Sequence, residues 1–361
     1  MKSKVLARLS AWSFATVLAT SPALRAQSSY TLVDIGALAG GSSVVKKINL
    51  AGDVVGNSGK LYGVQTRAFV RTGGKLVDLG TLPGGDYSSA SDINNKTAAV
   101  AEAVVGESNT STNTRAFLWN SAGGLQDLGA LPGDTGSRAF AISDSNQVVG
   151  YSSGPNGVTA FLWTKSAGMT GLGTLGGKES EAFGINNPGA VVGSSATSSG
   201  DNHAFLWTSS GGMQDLGVLP GDMLSEAHRI NNPGAVIGSS TGPNRTHAFL
   251  WTSSSGMQDL GTLGGDFSDA LDLNNNGDVV GTSTSGGGAH AFHWSSSTGM
   301  QDLNTLIPAG SNVVLTSALG VNNAGLIVAI GVVTTDRSGP VDSDDTHLHA
   351  GPTHAFILAP H

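Results

Sequence analysis

From residue 30 onward the apolar positions come in short bursts, and none carries a sustained helical period. Residues 178–217 read KESEAFGINNPGAVVGSSATSSGDNHAFLWTSSGGMQDLG. The segments SEAFGIN, AVVGSS, HAFLW and MQDLG are rich in Val, Ile, Phe and Trp, and clusters of Asn, Pro, Gly and Ser separate them. β-Branched and aromatic residues favour extended backbone, and NNPG is a tight turn because Asn bonds its own backbone while Gly supplies a positive φ. Four short strands are predicted in this window, and almost no helix.

The window repeats. HAFLW at 203–207 recurs at 247–251, with RAFV at 67–70, RAFLW at 115–119, TAFLW at 159–163, HAFHW at 290–294 and HAFIL at 354–358. The DLG motif or a variant starts at Asp34, Asp78, Asp127, Gly171, Asp215, Asp259 and Asp302, in steps of 44, 49, 44, 44, 44 and 43. A third motif, Ile-Asn followed by a turn and VVG, starts at Ile48, Ile93, Ile142, Ile185, Ile230, Leu273 and Val321. Three motifs sharing one count and one period define seven units.

Alternation along HAFLW puts His203, Phe205 and Trp207 on one face and Ala204 and Leu206 on the other, so both faces are largely apolar. Such a sheet must be sandwiched, which stacking of successive units achieves, large residues against small. An open solenoid and a closed propeller both satisfy this. The ends decide. The chain enters with a lone fourth strand, YTLVDIG (30–36), and leaves with a lone third strand, HAFIL (354–358). Joined, they complete a seventh sheet, so the prediction is an all-β, seven-bladed β-propeller of about 44 residues per blade, spanning 27–361 as one domain and closed by its N-terminal strand.

HAF followed by Trp, GMQDLG and INNxGxVVG together resemble the HAF-repeat family of probable extracellular bacterial proteins, over essentially all of 30–361. The resemblance implies secretion and propeller-like repeats, and no activity or catalytic residue. Thr159, Arg67 and Arg115 depart from its His, and Gly171 departs from its Asp. The autotransporter barrel of some members has no counterpart here.

Composition refines this picture. With 53 Gly and 12% charged residues the chain is turn-rich, and with no Cys it has neither a disulfide framework nor a thiolate ligand or nucleophile. Residues 1–26, with Lys2, Lys4 and Arg8 ahead of a short apolar stretch, read as a secretory signal peptide cleaved near Ala26. Cleavage would also take Arg25, so four basic and no acidic residues leave, and the formal net charge goes from −8 to −12. A chain that acidic has no electrostatic case for binding nucleic acid or an anionic membrane. The mature chain is expected to be a secreted monomer, extracellular or periplasmic, without a stable membrane span.

Candidate chemistry is sparse. Connections from each fourth strand to the next first strand carry Asp86, Asp134, Asp222 and Asp266, which either bind a cation or sugar hydroxyls or simply form turns. The longest connection, 334–353, holds Asp344, His347 and His349, a donor set that suits a transition metal if it is not merely solvated. DLNNNGD (272–278) opens like a calcium loop but lacks the acid at the twelfth place. No cofactor is expected, a calcium or other divalent ion being the alternative. GYSSG (150–154) and GSSTG (238–242) match G-x-S-x-G, expected just after second strands, without the strand-to-helix turn that a hydrolase elbow needs. The recurring His203, His247, His290 and His354 are too far apart for a metal ring and are expected to pack or hydrogen-bond between blades. The sequence thus reads as a non-enzymatic binding scaffold for a carbohydrate, peptide or envelope component. A hydrolase or lyase with an Asp-lined channel mouth, and a structural envelope component, are the alternatives.

Overall fold

The computed structural model describes residues 29–35, 42–59, 66–97, 102–333 and 353–361. Residues 1–26, expected from the sequence to be a leader, lie outside the described residues, as do Asp344, His347 and His349. The chain forms seven four-stranded antiparallel sheets, and the only helical piece among the described residues is a single 3-10 turn, Leu303–Thr305. The sheets stand around a channel as a seven-bladed β-propeller. Blades 1 to 6 span 42–78, 88–127, 136–171, 176–215, 224–259 and 268–302, each with its first strand innermost. Blade 7 takes Val313–Val321, Ile327–Val333 and Thr353–Pro360 and receives Tyr30–Asp34 as its outer strand.

That outer strand is held in the repeat's own register. Asp34 stands opposite Phe356, as Asp215 stands opposite Phe205 in blade 4. Between blades, the Phe of each third strand enters the neighbour against its Ala. Phe205 clusters with Ala160, Phe249 with Ala204 and Phe292 with Ala248, all fully buried. Burial of aromatic surface in seven equivalent slots is the main apolar contribution to holding the ring.

Each first strand is bulged near its end, as between Ala182 and Gly184, and blades 4 and 7 carry a second register shift nearer the start. The bulge explains the Gly of VVG. A Cβ on Gly193 would lie 1.9 Å from the Glu181 carbonyl oxygen, and one on Gly238 1.8 Å from that of Glu226, so only Gly allows the second strand to pass.

The recurring His corrects the sequence reading. His203, His247, His290 and His354 bond through Nδ1 to Asp215, Asp259, Asp302 and Asp34 at 2.9, 2.8, 2.7 and 2.6 Å, within a blade and not between blades. The reason is strand spacing, since third and fourth strands of one sheet are ~4.8 Å apart whereas stacked sheets are ~10 Å apart. In blade 3, where Thr159 replaces His, Gly171 replaces Asp, so both partners of the pair are lost together.

Two outcomes check this account. Deleting the chain through Asp34 uncovers the edge of Thr353–Pro360, and the truncated protein should melt at lower temperature and self-associate, read by calorimetry and size-exclusion chromatography. Gly193→Ala should destabilise by several kcal/mol in urea titration, because its Cβ meets backbone that cannot rotate away.

Candidate functional site

The Ile-Asn turns meet at one end of the channel. In six blades the Asn does two jobs. Its Oδ1 accepts backbone N–H groups of its own turn, as Asn322 does from Ala324 and Leu326, both at 3.0 Å. Its Nδ2 donates to the carbonyl of the equivalent residue in the next blade. Asn186 reaches Asn231 at 3.1 Å, Asn231 reaches Asn274 at 3.0 Å, Asn274 reaches Asn322 at 3.1 Å, and Asn322 closes the circle on Asn49 at 3.0 Å. Longer bonds of 3.3 and 3.4 Å carry it from Asn49 to Asn94 and on to Ser143, where the amide is missing.

One residue further out lies a second circle that runs the same way round with backbone and side chain exchanged. The N–H of each residue donates to the side-chain oxygen of the next blade's, through Leu50, Asn95, Asp144, Asn187, Asn232, Asn275 and Asn323 at 2.8–2.9 Å. It stops at Leu50, which has no acceptor. The two circles are interrupted in different places, so every blade boundary on this face is tied by at least one of them.

These circles ring a cavity of about 170 Å³ at the channel's throat. Its wall also includes side chains from the position just before the Ile. Across the blades that position reads Lys47, Asp92, Ala141, Gly184, Arg229, Asp272 and Gly320. Blade 7 has no side chain there, and Lys47 of blade 1 reaches past it to pair with Asp272 of blade 6. The other oxygen of Asp272, which is fully buried, accepts the N–H of Val321 at 2.8 Å. Asp92 accepts the N–H groups of Ile93 at 2.9 Å and Ile142 at 3.1 Å. Burial pushes the Asp92 carboxyl up from the usual range, opposed by Lys47, Arg229 and those two N–H groups. Arg229 donates through Nη1 to the carbonyls of Phe183 at 2.6 Å and His228 at 2.9 Å, and its buried Nε has no partner.

Further along the first strands the wall becomes aromatic and acidic. Phe140, Phe183 and His228, on blades 3, 4 and 5, follow one another at ring separations of 5.4 and 6.3 Å. Arg138 pairs with Glu107 at 2.7 Å, and His228 lies 3.2 Å from Asp269. Burial lowers the pKa of His228, but Asp269, Glu226 and the carbonyl of Ala270 outweigh it and raise the group to about 10. Burial pushes Glu181 up, reinforced by Glu226 and Glu179. Beside the inner Asn circle, burial and the neighbouring Asp53 raise Glu102 to about 7.

The four Asp residues proposed from the sequence precede the first strands, so they sit at the opposite end from the Asn circles, and the fold does not gather them. Each is engaged locally. Asp86 accepts from Asn109 at 2.6 Å, Asp134 from Ser152 at 2.7 Å and Asp222 from Arg245 at 3.1 Å, while the carbonyl of Asp266 accepts from Thr246 at 3.1 Å. LPGD closes a turn from Leu131 to Asp134 with Gly133 at φ 90°, the positive value that a type II turn requires. DLNNNGD is likewise a hairpin turn, its Asn274 accepting from Asn276 and Asp278. The two G-x-S-x-G segments lie inside second strands, not after them, because Ser152 and Ser240 continue the strand and take the N–H groups of Leu131 and Leu219. The throat charges were missed in the sequence, although the residue before each Ile changes from repeat to repeat.

Several proteins of known structure share the architecture. Virginiamycin B lyase from Staphylococcus aureus matches with a TM-score of 0.53 at 10% identity, covering 91% of this chain and 99% of that one. Puromycin hydrolase matches with a TM-score of 0.50 at 12% identity, covering 84% of this chain and 52% of that one. TolB from Acinetobacter baumannii matches at 10% identity and a TM-score of 0.46, covering 68% of this chain and 61% of that one. The chain therefore spans about three-fifths of TolB and half of puromycin hydrolase. At such identities the likeness shows the propeller fold alone. No protein-family model matches the chain, and no curated protein matches it.

The folded pKa of His228, about 10, lies above the ordinary value of 6.5, so its stabilisation is complete below pH 6.5 and is lost as pH rises toward 10. The stability difference between the wild type and His228→Gln, measured by urea titration, should shrink steadily across that window.

Proposed function

We propose that this chain is a secreted β-propeller binding scaffold that holds a polar extracellular ligand in the throat of its channel and carries out no catalysis. One observation carries the reading. Positions that hold the ring together mostly keep their residue type from blade to blade, Ser143, Leu50 and Asp144 being the departures, because each blade meets the same neighbours. The position before the Ile instead varies from Lys to Asp to Gly around a cavity, where no packing rule demands it. Charge placed in a buried throat is costly, and a site for a polar ligand is the kind of feature that offsets such a cost. On blades 5 to 7 the Nδ2 groups of Asn232, Asn275 and Asn323 make no hydrogen bond to a described residue, leaving three donors at the mouth.

The resemblance to extracellular HAF-repeat proteins and the sequence of residues 1–26 support secretion. A binding role is supported further by the fate of the serines in the two G-x-S-x-G segments, which are buried and spent on backbone groups. The ligand class follows as a carbohydrate, peptide or envelope component with hydrogen-bonding groups.

Calorimetric titration of the secreted chain with envelope peptides and oligosaccharides tests this. Arg229→Ala should weaken binding at least tenfold with the melting temperature monitored in parallel, whereas the quadruple Asn variant at Asp86, Asp134, Asp222 and Asp266 should bind like wild type. Loss confined to the quadruple variant would move the site to the opposite face.

A further inference from the structure

The position before the Ile brings two cations and two anions to the throat, and they are not used alike. Lys47 and Asp272 stand on blades 1 and 6, separated only by Gly320, and they meet directly. Asp92 and Arg229 stand on blades 2 and 5, separated by Ala141 and Gly184, and neither forms an ion pair with a described residue. Asp92 satisfies its oxygens only with backbone N–H groups, and Arg229 uses one nitrogen on two carbonyls and leaves Nε buried and bare. Across that sector the wall is made of the two smallest residue types in the ring.

Resting on the reading of the throat as a binding site, we infer that Asp92 and Arg229 are the two poles of a site for a small zwitterion, whose ammonium faces Asp92 and whose carboxylate takes the free edge of Arg229. The geometry of the donors suits these partners. A guanidinium binds a carboxylate through two parallel N–H groups, and Nε and Nη2 are the nitrogens of Arg229 without a protein partner, so a small turn of the guanidinium would present that edge to a guest. Asp92 is nine-tenths buried, so an ammonium beside it meets little competition from water. Of the other charges facing the cavity, Lys47 is paired with Asp272, and Asp144 is held by the N–H of Asn95 and the amides of Asn95 and Asn187. A guest with both poles gives Asp92 and Arg229 a partner each, whereas a simple anion or cation would leave one of them bare. The volume also fits. An apolar cavity of ~150 Å³ takes benzene, so the 170 Å³ here suits a guest of similar bulk.

The test uses the full secreted chain and a series of free amino acids of increasing pole separation, glycine, β-alanine, 4-aminobutyrate and 6-aminohexanoate, followed by calorimetric titration. One length should bind best. Acetylating its amine or amidating its carboxylate should each weaken binding about 10- to 100-fold, the usual effect of losing one charged hydrogen bond. Asp92→Asn should abolish the discrimination against the acetylated form alone, and Arg229→Gln that against the amide alone. Each variant is thereby its own folding control, because it still discriminates the other modification. Equal binding of the zwitterion and its blocked forms, no binding of any member, or discrimination unchanged in both variants would overturn the inference. If an envelope ligand still binds in an Arg229-dependent way while the series does not, the zwitterion site fails and the throat reading stands.

Discussion

The Asn of the Ile-Asn turn is the interaction on which this ring depends. Its carbonyl oxygen folds its own hairpin, and its amide reaches the main chain of the next blade, so one side chain fixes both the end of a first strand and the angle to its neighbour. Because the partner is a backbone carbonyl, the contact does not depend on the neighbour's side chain. It survives at Ser143 as an acceptor although Ser cannot pass the bond onward. Closure therefore has two independent parts, the bond from Asn322 to Asn49 at the channel and the strand Tyr30–Asp34 at the rim of blade 7.

Around this ring most recurring residues solve one local problem each. The Phe fills a slot lined by the neighbour's Ala, the VVG glycine lets the second strand pass the bulge, and the His steadies the Asp that caps the DLG turn. In blade 3 both partners of the His–Asp pair are lost, as Thr159 and Gly171, whereas blades 1 and 2 keep the Asp and carry Arg67 and Arg115 in place of His. A motif maintained by contact between blades is under the same physical demand seven times, and that demand says nothing about ligands.

The throat is governed by a different balance. Asp92 and Asp272 are buried there and Lys47 and Arg229 partly so, and an unpaired buried charge costs several kcal/mol. Asp272 recovers that cost through Lys47 and a backbone N–H, while Asp92 and Arg229 recover only part of it. The acid-rich stretch further along the wall shows the same incomplete compensation, with His228 held charged by Asp269 and Glu226 while Glu181 is pushed up by its neighbours.

By itself the sequence determined the seven units, their four strands and the closure, because period, alternation and turn chemistry are local or repeated and leave their mark in the order of residues. It also called for large residues of one unit to stack on small residues of the next, because a sheet apolar on both faces has to be sandwiched. The function of the recurring His, the bulge that requires the VVG glycine and the two Asn circles were decided by the tertiary structure. Each depends on which strand lies beside which, at ~4.8 Å within a sheet and ~10 Å between sheets. The throat was hidden for the same reason. Lys47 and Asp272 are 225 residues apart, and only closing the ring brings seven unlike residues around one cavity.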